Sequence, residues 1–180
     1  MSGSAILSQT VDVQHLPAEP VVIVATPAQR ARLAAANGLV EVRDLHATIS
    51  LVPGARGSVT VDGRVEANIV QTCVVSLVPL DARIDEPFTI RFVRRADAPP
   101  EPKPGEELVF EAGDPDPPEI LDGPVIDIGA LAEEAFVLAI DPYPRAPDAV
   151  LPAEAADDGD APDSPFAMLA SLAKGPKDEK

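Results

Sequence analysis

Two long runs in the N-terminal half of the chain alternate apolar and polar residues with a period of two. The runs cover residues 44–51 and 58–69, and a turn containing Pro and Gly separates them. Each run places its apolar side chains on one face of an extended strand and its polar side chains on the other. This pattern predicts an antiparallel hairpin with one face in the core and one face in water. Gly63 stands inside the second run, where we expect a bulge or a sharp bend.

Further strands are predicted on both sides of this hairpin. Residues 7–13 and 21–25 are short runs of β-favouring residues, and residues 88–93 alternate again. Residues 73–78 are more continuously apolar, which is typical of a strand buried on both faces. We expect a turn bracketed by Pro79 and Pro87. Together the elements predict an α+β fold built on a mostly antiparallel curved sheet or partial barrel.

Two or three short helices complete the predicted fold. Thr26, Pro27 and Gln29 form a helix start, with a capping residue, a first-turn proline and a capping-box amide. Asp127 is the expected N-cap of a second helix. Its apolar stripe is predicted to be buried and consists of Ile128, Leu131, Ala135 and Leu138, widened by Phe136 and Ile140. A third, two-turn helix is predicted at residues 165–173.

Charge divides the chain into two parts. Residues 1–96 hold nine basic and nine acidic side chains, whereas residues 97–180 hold five basic and 21 acidic ones, which gives the whole net charge of −16. Fifteen of the 21 prolines also lie in the second part. We therefore expect one α+β domain at residues 1–145, with a Pro-rich loop at 96–118. Residues 146–180 are expected to be a disordered acidic tail that carries the short helical motif.

The chain offers little that would support catalysis or metal binding. Cys73 could be a thiolate nucleophile or a metal ligand, but free cysteine is usually buried and inert, so we interpret it as a small apolar residue in a strand. His15 and His46 are the only histidines, and His46 falls on the polar, solvated face of its strand. No phosphate-binding loop or catalytic signature is present. We expect no catalytic residues, no metal and no cofactor, and a protein that is not an enzyme.

Five arginines are the candidates for binding RNA or another partner. Their positions are Arg56, Arg64, Arg91, Arg94 and Arg95, on or near the predicted hairpin and last strand. They could form a patch for phosphates. The alternative is that they pair with neighbouring acids or offset the charge of the acidic tail. We favour it because aromatic residues for base stacking are scarce.

The end of the chain contains a candidate partner motif. Phe166, Leu169 and Leu172 would lie on one side of the predicted third helix. The motif could dock on the chain's own domain or insert into the groove of a partner. No apolar run approaches the roughly 20 residues of a bilayer-spanning helix, so we expect no membrane partner. The oligomeric state stays open.

Several segments, taken in order, resemble the YceD family of large ribosomal RNA subunit accumulation proteins, in an alphaproteobacterial-like version. The segments are residues 59–67 (VTVDGRVEA), 70–80 (VQTCVVSLVPL), 84–92 (IDEPFTIRF), 126–129 (IDIG), 141–145 (DPYPR) and 164–169 (SPFAML). Many family members carry Cys-x-x-Cys where this chain has Cys73 and Ser76. The departure removes one thiol, so a metal or redox role is not carried over to this family-motif position.

The resemblance implies a non-enzymatic role in ribosome biogenesis in the cytoplasm, supporting the accumulation of large-subunit (23S) ribosomal RNA. The implied partner is that RNA or a precursor particle, reached directly or through a basic ribosomal protein. In the alternative, the chain is an acidic, chaperone-like binding module for such a protein and makes no contact with RNA. The acidic second half favours attraction to a basic protein and repulsion from bulk RNA.

Overall fold

Seven strands and two α-helices form the part of the chain that the computed structural model describes, residues 5–98 and 116–150. In chain order the elements are β1 (Thr10–Asp12), β2 (Val21–Val24), α1 (Pro27–Ala36), β3 (Glu41–Pro53), β4 (Val59–Thr72), β5 (Pro79–Arg94), β6 (Glu119–Leu121), β7 (Val125–Asp127) and α2 (Ile128–Leu138). Single 3₁₀ turns follow β3 (Ala55–Gly57) and β5 (Arg95–Asp97). The α+β class is therefore confirmed.

The main sheet is open and has the strand order β2-β3-β4-β5-β6. All its pairs are antiparallel except β5 with β6, which is parallel. A separate two-stranded sheet joins β1 to β7. The sheet does not close into a barrel, because β2 and β6 remain its two edges within the described residues. The predicted strand at 7–13 is reduced to the three residues of β1.

The predicted hairpin is confirmed as β3 and β4, but the bulge expected at Gly63 is wrong. The register runs without a break through Gly63, which pairs with Ile49 on one side and Phe88 on the other. The irregularity in this pair lies instead between Val42 and Asp44 on β3. Glycine at position 63 permits the close approach of the Phe88 ring.

Two expectations about the region after β4 are also wrong. Residues 73–78 form a turn and not a buried strand. The turn expected between Pro79 and Pro87 does not exist, because β5 runs unbroken from Pro79 to Arg94. β5 tolerates Pro87 because, among the described residues, β6 pairs with only three residues near the end of β5. Position 87 therefore has a strand on one side only in this part of the chain.

Both helices begin as the sequence predicts. The Thr26 hydroxyl accepts a hydrogen bond from the Gln29 amide at 3.3 Å, and the Gln29 side chain accepts one from the Thr26 amide at 2.9 Å. Asp127 caps α2 by accepting from the Ala130 amide at 3.0 Å. Residues 165–173, where the third helix is predicted, lie outside the described residues.

One face of the sheet carries the core and the other faces water. Apolar residues from both helices, β7 and the inner face of β2–β5 form a single buried cluster with Leu7, and Val11 of β1 packs against it. Leu33, Val61 and Phe136 are fully buried in this cluster. The predicted stripe of α2 is only partly right. Ile128, Ala135 and Phe136 are buried, but the Leu138 residue is 77% exposed at the end of the helix.

Candidate functional site

Three of the five candidate arginines line one cleft at the end of the sheet. Arg56 lies in the turn between β3 and β4, whereas Arg91 and Arg94 lie near the end of β5. Their cleft has a volume of about 560 Å³ and also includes Ser58 and Asp97. The antiparallel pairing of β4 with β5 brings these positions together, because Val59 pairs with Phe92.

The turn that carries Arg56 has an unusual backbone. Arg56 has a φ of 56° and Gly57 a φ of 73°, so two successive residues are left-handed. The Arg94 guanidinium packs over Gly57, where a Cβ atom would stand 2.7 Å from its Nε. A side chain at position 57 would displace Arg94, so this glycine maintains the shape of the cleft.

The other two candidates, Arg64 and Arg95, do not line the cleft. The Arg64 Nε lies 2.5 Å from an Asp85 carboxylate oxygen, and the Arg95 guanidinium lies 2.8 Å from Asp122. The hydrogen bond from Arg64 lowers the pKa of Asp85 and raises that of Arg64. Both arginines therefore offer little uncompensated charge to a phosphate.

Among the described residues, the positive charge of the cleft is only partly compensated. Arg56 lies 3.6 Å from Asp97, a long contact from a side chain that is 81% exposed. Arg91 and Arg94 make no ion pair with any residue in the described ranges. The cleft thus holds three guanidinium groups and one carboxylate among its described lining residues.

The outer face of the sheet is a surface of paired charges. His46 Nε2 lies 2.9 Å from a Glu66 carboxylate oxygen, and Arg83 lies 3.3 Å from the other oxygen of Glu66. Arg43 reaches Asp81 at 2.7 Å. The expectation that His46 lies on the polar, solvated face of its strand is confirmed, since its side chain is 43% exposed, and its ring also bonds across the strands to Glu66.

Cys73 holds a turn in place. It is fully buried, and its Sγ accepts backbone hydrogen bonds from Ser76 and Ala146, both at 3.3 Å. Bonds from the Ser76 side chain, from its amide and from the Ala146 amide lower the pKa of the Cys73 thiol to about 6. Cys73 is buried as expected, but it lies after the end of β4 and not in a strand of its own.

An apolar groove, which the sequence analysis missed, lies between β5 and α2. Its volume is about 850 Å³. Phe88, Ile90 and Phe92 of β5 form one wall, and Leu131, Ala135 and Leu138 of α2 form the other. The alternation in β5 and the apolar stripe of α2 are sequence signals for its two walls, but neither indicates that the walls face each other.

Acidic side chains surround this groove. Asp116, Glu119 and Glu134 lie on its rim, together with Arg91. Residues 116–150 contain eight acidic side chains and one arginine. The surface around β6 and α2 is therefore strongly anionic.

Two further observations apply to residues 5–98 and 116–150. They contain no group of three or more His, Cys, Asp and Glu side chains that could hold a metal ion. Neither of their helices has the length and apolar character needed to cross a membrane. The predicted partner motif, Phe166, Leu169 and Leu172, lies outside these residues.

Comparison with known proteins gives one match. A family model described as large ribosomal RNA subunit accumulation protein YceD matches residues 61–173. The match covers well over half of the chain, from β4 through α2 and on to the predicted partner motif. No curated protein and no solved structure matches the chain.

Proposed function

Because the chain belongs to the YceD family of large ribosomal RNA subunit accumulation proteins, we propose that it supports this accumulation by binding a basic ribosomal protein. The family name associates the chain with large-subunit RNA. The proposal adds the mode of action, which is binding and not catalysis, and the partner, which is a protein of a precursor particle in the cytoplasm.

The observation that carries the proposal is the pairing of basic side chains with acids. Arg64 and Arg95 are engaged by Asp85 and Asp122, and Arg43 by Asp81. RNA binding depends on cationic groups that can replace the counterions of phosphates. Arginines already paired with carboxylates are poorly suited to that exchange.

The anionic surface provides the complementary argument. Exposed carboxylates at Asp116, Glu119 and Glu134 stand beside apolar groove walls, and the net charge of the chain is −16. Such a surface repels RNA at long range and steers a cationic protein towards it. Ribosomal proteins that await assembly expose the basic surfaces that bind ribosomal RNA, so they are cationic partners of this type. The acids of residues 157–163 would add to the attraction.

We propose that this binding keeps the ribosomal protein soluble until ribosomal RNA competes for it. RNA has a much higher density of negative charge than this chain, so transfer to RNA is favourable once the binding site on RNA has formed. The bound state should weaken steeply with salt, because much of the attraction is between exposed charges.

The test is affinity purification of the full-length chain at increasing salt, combined with gradient sedimentation of ribosomal particles from cells that express each variant. The variant Asp116→Asn, Glu119→Gln, Glu134→Gln should lose the ribosomal protein and lower the amount of large subunit. The control Glu19→Gln, Asp62→Asn, Glu86→Gln removes the same charge from exposed positions elsewhere. Equal partner recovery from both variants would contradict the proposal, because total charge and not this surface would then govern binding.

Direct contact with RNA is a second candidate, favoured by the cleft of Arg56, Arg91 and Arg94. Among the described lining residues, one carboxylate faces three guanidinium groups, so positive charge remains to bind one or two phosphates. The test is a titration with large-subunit RNA fragments at several salt concentrations. Arg91→Gln with Arg94→Gln should reduce the slope of log K against log salt by about 1.4 to 1.8, since each of two phosphate contacts contributes about 0.7 to 0.9. The control Arg43→Gln with Arg83→Gln removes two arginines that are paired with acids. Unchanged affinity in the first variant would eliminate the cleft as an RNA site.

A further inference from the structure

We propose that the groove between β5 and α2 is the docking site for this chain's own C-terminal motif, Phe166, Leu169 and Leu172. This inference does not rest on the proposed function, but it uses the same carboxylates, Asp116, Glu119 and Glu134, so the motif and a basic partner protein would compete for this surface. It concerns which segment covers an apolar surface that the described residues leave open, and it selects one of the two interpretations of the motif that the sequence allows.

The shape and chemistry of the groove suit an apolar helix face. Phe88, Ile90 and Phe92 are half-buried on one wall, and Leu138 is 77% exposed on the other. Phe136 and Ala132 of α2 point into the core. The side chains of α2 that line the groove, such as Leu131 and Leu138, lie on a different side of the helix. Large apolar side chains that line a cavity of about 850 Å³ remain in water unless another segment covers them.

The motif supplies three large apolar groups at matching spacing. Positions 166, 169 and 172 follow one another every three residues, which places them on one side of a short helix. Recognition of an amphipathic helix by an apolar groove uses anchors at this kind of spacing. The family match ends at residue 173, directly after the last anchor.

The chain is long enough to reach the groove. The described residues end at Val150, and fifteen residues lie between it and Phe166. At 3.3–3.6 Å per residue, such a connector spans up to about 50 to 54 Å. A domain of this size has a radius of gyration of about 14 Å, so the motif can reach either face of the sheet. Reach therefore permits docking, and the choice of face must come from chemistry.

Charge favours the groove over the rest of the surface. Lys174 and Lys177 follow the motif, and they are two of only four lysines in the chain. The groove rim presents Asp116, Glu119 and Glu134. A helix that lies in the groove with its C-terminal end at this rim would place its lysines beside these carboxylates. The outer face of the sheet instead offers carboxylates that are already paired with Arg43, Arg64 and Arg83.

Disulfide trapping in the full-length chain tests the proposal. The variant Leu138→Cys with Leu172→Cys should form an intramolecular disulfide at least about tenfold faster than Thr48→Cys with Leu172→Cys, because docking raises the local concentration of one thiol near the other. Thr48 is an exposed residue on the outer face, and the native Cys73 is fully buried. Thermal unfolding of the reduced variants verifies that each is folded.

Charge provides a second measurement. Lys174→Glu with Lys177→Glu should slow trapping at Leu138→Cys by about two- to fivefold, the effect of losing exposed ion pairs. Equal trapping at Leu138→Cys and Thr48→Cys would overturn the proposal. Covalent dimers would also overturn it, because they would identify a second copy of the chain as the occupant of the groove. Faster trapping of Leu138→Cys by Val109→Cys would overturn it as well, because it would identify the internal segment 99–115 as the occupant.

Discussion

Gly63 on β4 lies directly opposite Phe88 on β5, and the Phe88 ring occupies the space that a side chain at position 63 would need. The ring packs against the backbone of β4 and forms part of the groove wall. This relationship links a single glycine in a central strand to the shape of the surface beside α2.

Substitution of this glycine should destabilise the fold. Gly63→Ala forces the Phe88 ring out of its position, so we expect the free energy of unfolding to fall by about 1–3 kcal/mol, the usual cost of overpacking. Urea denaturation followed by circular dichroism measures the change. Thr48→Ala, on the exposed outer face, is the control and should stay within about 0.5 kcal/mol of the native chain.

A double-mutant cycle then identifies the cause. If the Phe88 ring is what a side chain at position 63 meets, Phe88→Ala should remove most of the additional cost of Gly63→Ala, and the two effects should not add. Strict additivity would mean that the cost comes from the strand backbone.

Gly129 should be even less tolerant, because its surroundings are backbone. A Cβ atom there would meet the Leu7 carbonyl and would stand 2.6 Å from the Gln9 amide nitrogen. Gly129→Ala should therefore separate the N-terminal segment from α2, with a loss of about 3 kcal/mol or more, at the upper end of overpacking effects. Thermal unfolding measures it, with the exposed Glu134→Ala on the same helix as control. A loss no larger than that of the control would contradict the close packing of Leu7 on α2.

Asp127 should make stability depend on pH in the acid range. Burial raises its pKa, but hydrogen bonds from Ser8, Ala130, Gln9 and Gly129 outweigh burial and hold the pKa below the usual value. The ionised Asp127 carboxylate therefore contributes its full share of the folding free energy above the unfolded-state pKa of about 3.9. This share is lost as the pH falls through the lower pKa of Asp127 in the folded chain.

Removal of this carboxylate should abolish that dependence. Asp127→Ala should cost about 0.5–2 kcal/mol at neutral pH, as for other N-caps, and much less below the folded pKa. Urea denaturation across the acid range measures both values, and Asp148→Ala, an exposed position, serves as control. A cost that is the same at all pH values would show that the charge of Asp127 contributes nothing.

The pKa of the Cys73 thiol should lie well below that of an ordinary thiol, and yet the thiol should react slowly with alkylating reagents because it is buried. Hydrogen bonds from the Ser76 side chain and from the Ser76 and Ala146 amides lower its pKa to about 6. Its ionisation stabilises the fold above the unfolded-state pKa of about 8.5, and the gain disappears as pH falls through about 6. Ultraviolet absorbance of the thiolate measures the pKa. Alkylation should be slow in the native chain and fast in urea, whereas equally fast alkylation in both would contradict the burial of the thiol.

Local rules were sufficient for part of this fold. The capping residues Thr26 and Asp127 and the alternation in β3 and β4 depend on neighbours in sequence, so they could be predicted directly. The turn predicted at Pro87 was wrong because proline is excluded from central strands but is tolerated where a strand is paired on one side only, as at position 87 among the described residues. Residues 73–78 misled because their turn depends on residues far along the chain, since the Val74 amide bonds to the Pro144 carbonyl at 2.9 Å.

The candidate site was predictable only in its residues and not in its grouping. Arg56, Arg91 and Arg94 meet because the β4–β5 register places the two strand ends together, whereas the acids that engage Arg64 and Arg95 come from positions 85 and 122. Which arginine keeps its charge available is decided by these tertiary neighbours. The groove likewise requires α2 to lie beside β5, which no local pattern specifies.

The short pairing of β6 with β5 has a consequence for how the protein behaves at high concentration. Among the described residues, only Phe92–Arg94 of that side of β5 is covered by β6. An uncovered strand side can template the addition of a foreign strand and start aggregation. Pro79 and Pro87 cannot donate backbone hydrogen bonds, and the exposed carboxylate of Glu86 repels an identical chain. These three residues discourage self-association through β5.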